Sequence, residues 1–484
     1  MEPVFELPIA LPGRDSRRLL RSLHAQLRDA ILDGRLKPGL RLPSTRRLAS
    51  ACGVSRNTAV AAYDLLLSEG YVVARRGAGV FVAGALARGP KKSRTAPAVA
   101  ANGRRLAPFW RVPPAAFVVS PPPKPRLDFR LGVPDLALFP FAIWRRLTAR
   151  SLRTLARSSA AYADPRGQPL LREGIAGHVS FARAVACAAE DIVVTSGAQQ
   201  AFDLLARILV SPGRTVVAVE NPGYAPLQNA FAAAGAKLVP VRVDAEGLVV
   251  ERLPSEARVV CVTPSHQFPL GCAMSARRRA ALLEFAHAHG AVVVEDDYDS
   301  EFRFGGRPLD ALKTLDRGGC VSYVGTFSKS LFPAIRIGYI VAPAWARAAL
   351  TAAKRYSDWH TGVIEQDTLA AFIAEGHLAR HVRRMRTVYA ARREKLLGLL
   401  AQNFGGWLEP IPSLAGLHLS AFAAPSVDAA ALAGAARRHD VGVVLLRVFQ
   451  SGGAGRQGFT FGYGAIDEAG IVQACAKLRR VWPR

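Results

Sequence analysis

The stretch "YVGTFSKSLFPAIRIGY", Tyr323 to Tyr339, holds one lysine just past a strongly apolar run, with Thr326 and Ser328 before it and Arg336 seven positions after. A lysine placed in the turn after an apolar strand is partly stripped of water. That lowers its pKa toward that of a free amine able to condense with an aldehyde. "VVVEDDYDSEF" places Asp296 and Asp297 at the end of another apolar run, with the phenol of Tyr298 beside them. Side chains on consecutive strand residues point opposite ways, so the two aspartates compete for one inward-facing role. "TSGAQQAFDLL" reads as a strand, a glycine turn and a helix, whose first amides and dipole suit a phosphate. Arg336 and Thr326 can complete that phosphate cup. "NPGY" ends a third strand with Tyr224 available for stacking. Amine, acid, phenol, phosphate cup and flat ring together suit a phosphorylated aromatic aldehyde with a ring nitrogen.

Repeated strand–helix alternation must position these groups. The apolar runs "DIVVTSG", "TVVAVENPGY", "RVVCVTP", "AVVVEDDYD" and "CVSYVGTFS" alternate with amphipathic stretches such as "SARRRAALLEFAHAHG". Strands that are apolar on both faces predict a mostly parallel sheet with helices on either side, an α/β domain. Chemistry in such a sheet gathers at the carboxyl ends of the strands, where the polar residues above stand. This domain is expected over residues 127–484, with a small C-terminal α+β subdomain from about residue 345.

The first 83 residues read differently. "RSLHAQLRDAILDGRLKPG" predicts an opening helix with Leu23, Leu27 and Ile31 on one face. "LPSTRRLASACGVSRNTAVAAYDLLLSEG" predicts two short helices, the first capped by Ser44 and broken at Gly53, the second capped by Ser55. In that second helix Val60, Tyr63, Leu66 and Leu67 are expected to face inward, while Arg56, Asn57 and Thr58 fill the first turn. A recognition helix offers such residues to base edges in the major groove. "YVVARRGAGVFVA" then has the make-up of a hairpin wing whose Arg75 and Arg76 meet phosphate or the minor groove.

The charge distribution agrees with a polyanionic partner. The net charge is +27, and residues 1–83 hold 13 basic against 7 acidic side chains. Residues 84–126 hold 9 basic and no acidic ones, with "ARGPKKSRTAPAVAANGRR" and "SPPPKPR" reading as a basic, Pro/Ala-rich linker. The six cysteines show no paired spacing, which points to buried thiols in a reducing compartment. No run approaches the ~20 apolar residues needed to span a bilayer, and the N-terminus lacks the basic start of a secretion signal. A soluble cytoplasmic protein with no membrane partner is expected, and no ligand spacing calls for a metal.

The pattern "LPS-x-R-x-LA … GVSR-x-T" from Leu42 to Thr58 resembles the winged helix of the GntR regulators. That resemblance implies that Arg46 and Arg56 are DNA contacts. "GVPDLALFP", "YADPRGQPLLREGIAGH", "TSGAQQAFDLL", "TPSHQFPLG", "EDDYDSEFRF", "GTFSKSLFPAIRIGY" and "EGHLARHVRRMR", in that order, resemble the fold-type I, PLP-dependent aminotransferases. Together the two halves resemble the MocR/PdxR-like GntR regulators, which fuse a winged helix-turn-helix to an aminotransferase-like domain. The resemblance implies pyridoxal 5'-phosphate (PLP) held by Lys329 as a Schiff base. It implies Asp296 at the pyridine nitrogen, Tyr298 at the ring hydroxyl, Tyr224 stacked on the ring, and phosphate contacts from Ala198, Gln199, Thr326, Ser328 and Arg336. Tyr162 resembles a tyrosine that reaches the neighbouring subunit's phosphate, which implies a head-to-tail homodimer. The asparagine that faces the ring in aminotransferases is missing from "TPSHQFPLG", where His266 or Gln267 stands in for it. The strand "GFTFGYGA" lacks the arginine that binds a substrate carboxylate. The implied function is a transcriptional regulator that binds operator DNA as a dimer and senses PLP, or an amine or amino acid, through Lys329. The alternative is a working aminotransferase with an accessory DNA-binding domain.

Overall fold

The computed structural model describes residues 9–11, 16–75, 77–84, 108–111, 125–158, 161–305, 310–452 and 455–483. The chain divides into two compact units, Met1–Arg111 and Val112–Arg484. Most of the basic segment 84–126, and Arg76 at the wing, lie outside the described residues.

In the first unit, α1 (Ser16–Leu32), α2 (Thr45–Cys52) and α3 (Arg56–Ser68) are followed by the antiparallel pair β1 (Val72–Arg75) and β2 (Gly79–Val82). Local chemistry fixes the ends of the helices. Ser44 Oγ accepts from Arg47 N, and Ser55 Oγ accepts from Thr58 N at 3.1 Å. Gly53, at φ +64°, closes α2 in a left-handed conformation that costs a glycine nothing. Leu23, Leu27, Ile31, Leu48 and Leu66 bury together in one core. The inward face of α3 is Ala59, Ala62, Tyr63 and Leu66, while Val60 is exposed and Leu67 half-buried. The expected face was therefore shifted at Val60: two small alanines, which carry little apolar surface in the sequence, take the helical positions over the core. Tyr63 donates its hydroxyl to Pro43 O at 2.8 Å, tying α3 to the start of α2.

The second unit holds an eight-stranded sheet of order β4-β11-β10-β9-β8-β5-β6-β7. Its members are β4 (Ile192–Thr195), β5 (Val216–Asn221), β6 (Lys237–Asp244), β7 (Gly247–Leu248), β8 (Ala257–Val262), β9 (Val292–Asp297), β10 (Val321–Thr326) and β11 (Gly338–Val341). The strands β10, β9, β8, β5 and β6 pair in parallel, β11 runs antiparallel to both its neighbours, and β7 runs antiparallel to β6. Alternate side chains enter different cores: Val193 joins Phe202, Phe231 and Leu350, while Val194 joins Ile175, Leu369 and Phe372. Both faces of the central strands are thus dry, as the doubly apolar runs predict, while β6 near the edge keeps Lys237, Pro240 and Arg242 exposed.

A second core lies on the antiparallel sheet β12 (Leu408–Pro410), β13 (His418–Ala423), β16 (Gly458–Gly462) and β15 (Val444–Leu445). Helices His377–Phe404, Ala429–Arg438 and Glu468–Val481 supply its apolar cover, and Leu127, Phe129 and Phe302 reach it from far earlier in the chain. β3 (Leu127–Asp128) pairs in parallel with β14 (Val441–Gly442). The helices Arg347–Asp358 and Val363–Ala374, beyond the expected boundary near 345, place Leu350, Leu369 and Phe372 in the cores of the large sheet. Among the described residues no helix is long and apolar enough to cross a membrane.

Leu396, on helix His377–Phe404, is fully buried in the second core. Leu396→Ala is expected to cost about 2–5 kcal/mol, read as a lower midpoint in urea unfolding. The exposed Val472→Ala should shift the same transition by no more than about 0.5 kcal/mol.

Candidate functional site

The carboxyl ends of the strands open on a cleft of about 240 Å³. Lys329, three residues past β10, lines it, and its Nζ donates to Gly132 O at 2.8 Å. Gly132 sits at φ +64°, and a Cβ there would stand 2.7 Å from Nζ, so a side chain would displace the lysine head. Burial lowers the pKa of the ammonium; Asp299 and Asp296 oppose the shift and Arg336 adds to it.

The two aspartates at the end of β9 separate as strand geometry requires. Asp296 lines the cleft, and among the described residues its buried Oδ1 has no hydrogen-bond partner. Burial, reinforced by Asp297, pushes its pKa well above the usual carboxylate range. Asp297 points the other way. It takes Arg183 Nε at 2.7 Å, the Tyr323 hydroxyl at 2.6 Å and Ser300 Oγ at 2.8 Å. Burial alone would raise its pKa, but the Arg183 charge and those donors hold it below the usual value.

One end of the cleft is formed by Ala198 and Gln199, the first residues of helix Ala198–Leu209, together with Thr326, Ser328 and Arg336. Ser328 N donates to Thr326 Oγ1 at 3.2 Å, and Thr326 Oγ1 donates to Ser328 Oγ at 3.1 Å. Arg336 adopts a left-handed conformation, φ 51°, and its Nη2 donates to Ser196 O at 2.8 Å. Gly197 lets the guanidinium in, since a Cβ there would lie 2.8 Å from its Nη1. Helix-start amides, two hydroxyls and a guanidinium make an anion site. Tyr224 and Tyr298 also line the cleft, and burial, then Asp296, pushes the Tyr224 phenol up to about 12.

Two expected residues stand apart from the cleft lining. His266 is buried behind it, with Nδ1 3.0 Å from the Tyr298 hydroxyl and 3.0 Å from Asp299 Oδ2. Gln267 turns to Glu220 Oε2 at 3.2 Å and Pro222 O at 2.9 Å. The side chain from "TPSHQFPLG" that lines the cleft is Phe268, packed edge-on against Tyr224 with centroids 5.2 Å apart. Tyr162 is also outside the cleft: 74% exposed, it stacks on Trp359 at 4.6 Å. Sequence reasoning did not single out His418, Phe268, Gly132 or Arg183. Gly132 and Phe268 stand inside the quoted motifs "GVPDLALFP" and "TPSHQFPLG" without being given a role, His418 comes from a segment outside them, and Arg183 is signalled only as a basic residue ending a helix. Arg456, the nearest arginine to "GFTFGYGA", pairs with Glu409 Oε2 at 2.9 Å and covers the Phe422 ring; it does not line the lysine cleft.

In the first unit Arg46, Ser55, Arg56 and Asn57 are exposed, Thr58 is half-buried, and Arg75 is exposed at the end of β1 with its guanidinium 4.7 Å over the Phe81 ring. Arg46, Arg56 and Asn57 thus offer their polar groups to solvent at the start of α2 and α3.

Removing the Arg183 charge would leave a fully buried carboxylate. Arg183→Met is expected to cost about 3–5 kcal/mol at pH 7. Because Arg183 lowers the folded-state pKa of Asp297, its contribution is present above the unfolded value and lost as pH falls. The deficit against wild type should therefore shrink as the pH drops through about 4, in urea unfolding followed from pH 7 to pH 3.

Residues 19–82 match the bacterial regulatory proteins of the gntR family, and residues 128–475 match aminotransferase class I and II. The chain is 39% identical over 470 residues to the probable rhizopine catabolism regulatory protein MocR of Rhizobium meliloti, covering 95% of this chain and 92% of that one. It is 32% identical over 473 residues to the HTH-type pyridoxine biosynthesis transcriptional regulator PdxR of Corynebacterium glutamicum, covering 98% of each. A solved kynurenine aminotransferase of Pyrococcus horikoshii shares the fold at a TM-score of 0.68 and 28% identity, over 73% of this chain and 90% of that one. The aminotransferase class is PLP-dependent, and the curated relatives that match over nearly the whole chain are named as regulators. The chain belongs to the MocR/PdxR-like subfamily of GntR transcriptional regulators, in which a GntR DNA-binding domain is joined to an aminotransferase class I and II domain.

Proposed function

We propose that this regulator binds operator DNA as a head-to-tail homodimer and senses PLP, or an amine or amino acid that meets it there, through Lys329. The observation that carries the reading is the orphaned Asp296 Oδ1, buried in the same cleft as Lys329. A buried polar atom without a partner costs about 1–3 kcal/mol, and a protonated ring nitrogen would remove that cost. The rest of the cleft fits the same group: an anion site at its far end, Tyr224 with a flat ring, and a phenol at Tyr298. When bound, PLP supplies an aldehyde that an amine can hold covalently and a ring that draws electrons.

In this reading Asp296 holds a proton at the ring nitrogen, and Ala198, Gln199, Thr326, Ser328 and Arg336 bind the phosphate. Tyr224 stacks and excludes water, and Tyr298 donates to the ring oxygen. Tyr162, exposed on the surface, reaches the partner subunit's phosphate. Recognition is favoured over turnover because among the described residues no arginine from the C-terminal segment lines the cleft. The likeness to a solved aminotransferase favours a second reading, a residual transaminase. Ligand-dependent preference for one arrangement of the two domain types would carry the signal to DNA. Arg46, Ser55, Arg56, Asn57 and Thr58 would contact the duplex, with Arg75 and Arg76 at the wing. Residues 1–83, 84–126 and 127–484 then serve as reader, basic linker and sensor in a cytoplasmic protein.

Borohydride reduction with PLP, followed by peptide mapping, should place the pyridoxyl label on Lys329. Lys329→Ala should lose the label and the visible absorbance while still binding DNA. Arg56→Ala is expected to weaken binding to the upstream intergenic DNA by about 1–3 kcal/mol, in footprints at fixed salt with and without PLP. Amino-acid turnover with a keto acid, abolished in Lys329→Ala, would instead support the transaminase.

A further inference from the structure

Helix Arg347–Asp358 carries a lysine with no place in the cleft. Lys354 is fully buried, and its Nζ donates to Asp358 Oδ1 at 2.7 Å, Gln200 Oε1 at 2.9 Å and Thr361 Oγ1 at 3.1 Å. An ammonium has three protons to donate, and removing it from water is tolerated only when they are used. Here all three are.

The partners converge on one short segment. Gln200 Oε1 also accepts from Ser196 N at 2.8 Å, and Gln200 Nε2 donates to Asp358 Oδ2 at 2.8 Å. Ser196 Oγ donates to the same Asp358 Oδ2 at 3.4 Å. On the cleft side, Ser196 O accepts from Arg336 Nη2 at 2.8 Å. Ser196 immediately precedes Gly197 and the first turn of helix Ala198–Leu209, which presents its amides to the anion site. The turn is therefore held by its amide and hydroxyl from behind and by its carbonyl from the cleft. An anion site made of backbone amides is only as selective as the rigidity of the turn that aims them.

We infer that Lys354, acting through Gln200 and Asp358, is a positioning residue that fixes the Ser196–Gly197 turn for binding the cofactor's phosphate. The inference rests on the reading of the lysine cleft as a PLP site. It makes the phosphate preference of the cleft depend on an ion pair that touches no ligand.

The test titrates the full-length protein with PLP and, separately, with pyridoxal, which has the same ring and aldehyde but no phosphate, and follows visible absorbance. Lys354→Met and Gln200→Ala should each bind PLP about tenfold or more weakly, while binding of pyridoxal stays within about twofold of wild type. Gln200→Ala leaves the Lys354–Asp358 pair in place, so it reports on the turn even where Lys354→Met does not fold. Equal loss for both ligands, or unchanged PLP binding in Gln200→Ala, overturns the inference while leaving the cofactor reading intact. Failure of the wild type to bind PLP at all overturns that reading, and the inference with it.

Discussion

At the carboxyl end of β9, two adjacent carboxylates must point to opposite faces of one strand. Asp297 turns back into the protein, where Arg183, Tyr323 and Ser300 give it a full set of donors. Only because that charge is neutralised on the other face of the strand can a second carboxyl, Asp296, stand in the cleft beside Lys329 with its Oδ1 unpartnered among the described residues. Two uncompensated buried carboxylates one residue apart would repel each other and cost several kcal/mol. The polarity of the cleft thus depends on an ion pair outside it, between the end of helix Pro169–Arg183 and β9.

The end of the cleft at Arg336 shows the same arrangement, with cleft-facing groups carried by buried polar contacts one layer back. Arg336 approaches because Gly197 has no side chain, and Ser196 is held from the other side by Gln200. Tyr298 is backed by His266, itself held by Asp299. These second contacts come from segments far apart in sequence, and each has a polar atom that would be costly to leave unpaired.

Much of this was legible in the residues. The doubly apolar strands foretold a parallel sheet, and the meeting of Lys329, Asp296, Tyr224, Tyr298 and the Ala198 helix start in one cleft was readable because each stands at or just past the carboxyl end of a strand in its own short motif. The caps at Ser44 and Ser55 were equally local. What failed was non-local or rested on coarse hydrophobicity. Val60 looked like core because it is apolar, yet helix phase put Ala59 and Ala62 there. His266 is the residue of "TPSHQFPLG" expected at the cleft, yet the side chain of that segment that lines it is Phe268. Helices Arg347–Asp358 and Val363–Ala374 lie beyond the boundary suggested near residue 345, yet their apolar residues pack on the large sheet.

By itself the sequence determined the elements and the chemical kinds at their ends, because strand and helix periodicity, caps and glycine turns act over a few residues. It left Asp296 and Asp297 as rivals, since alternation says that two neighbours differ but not which one faces the cleft. Only the tertiary structure decided that, by bringing Arg183 to one face of β9 and Lys329 to the other. It also decided the burial of Lys354, whose partner Gln200 lies on another helix. Desolvation and ion pairing are properties of the assembled surroundings, and no single segment carries them.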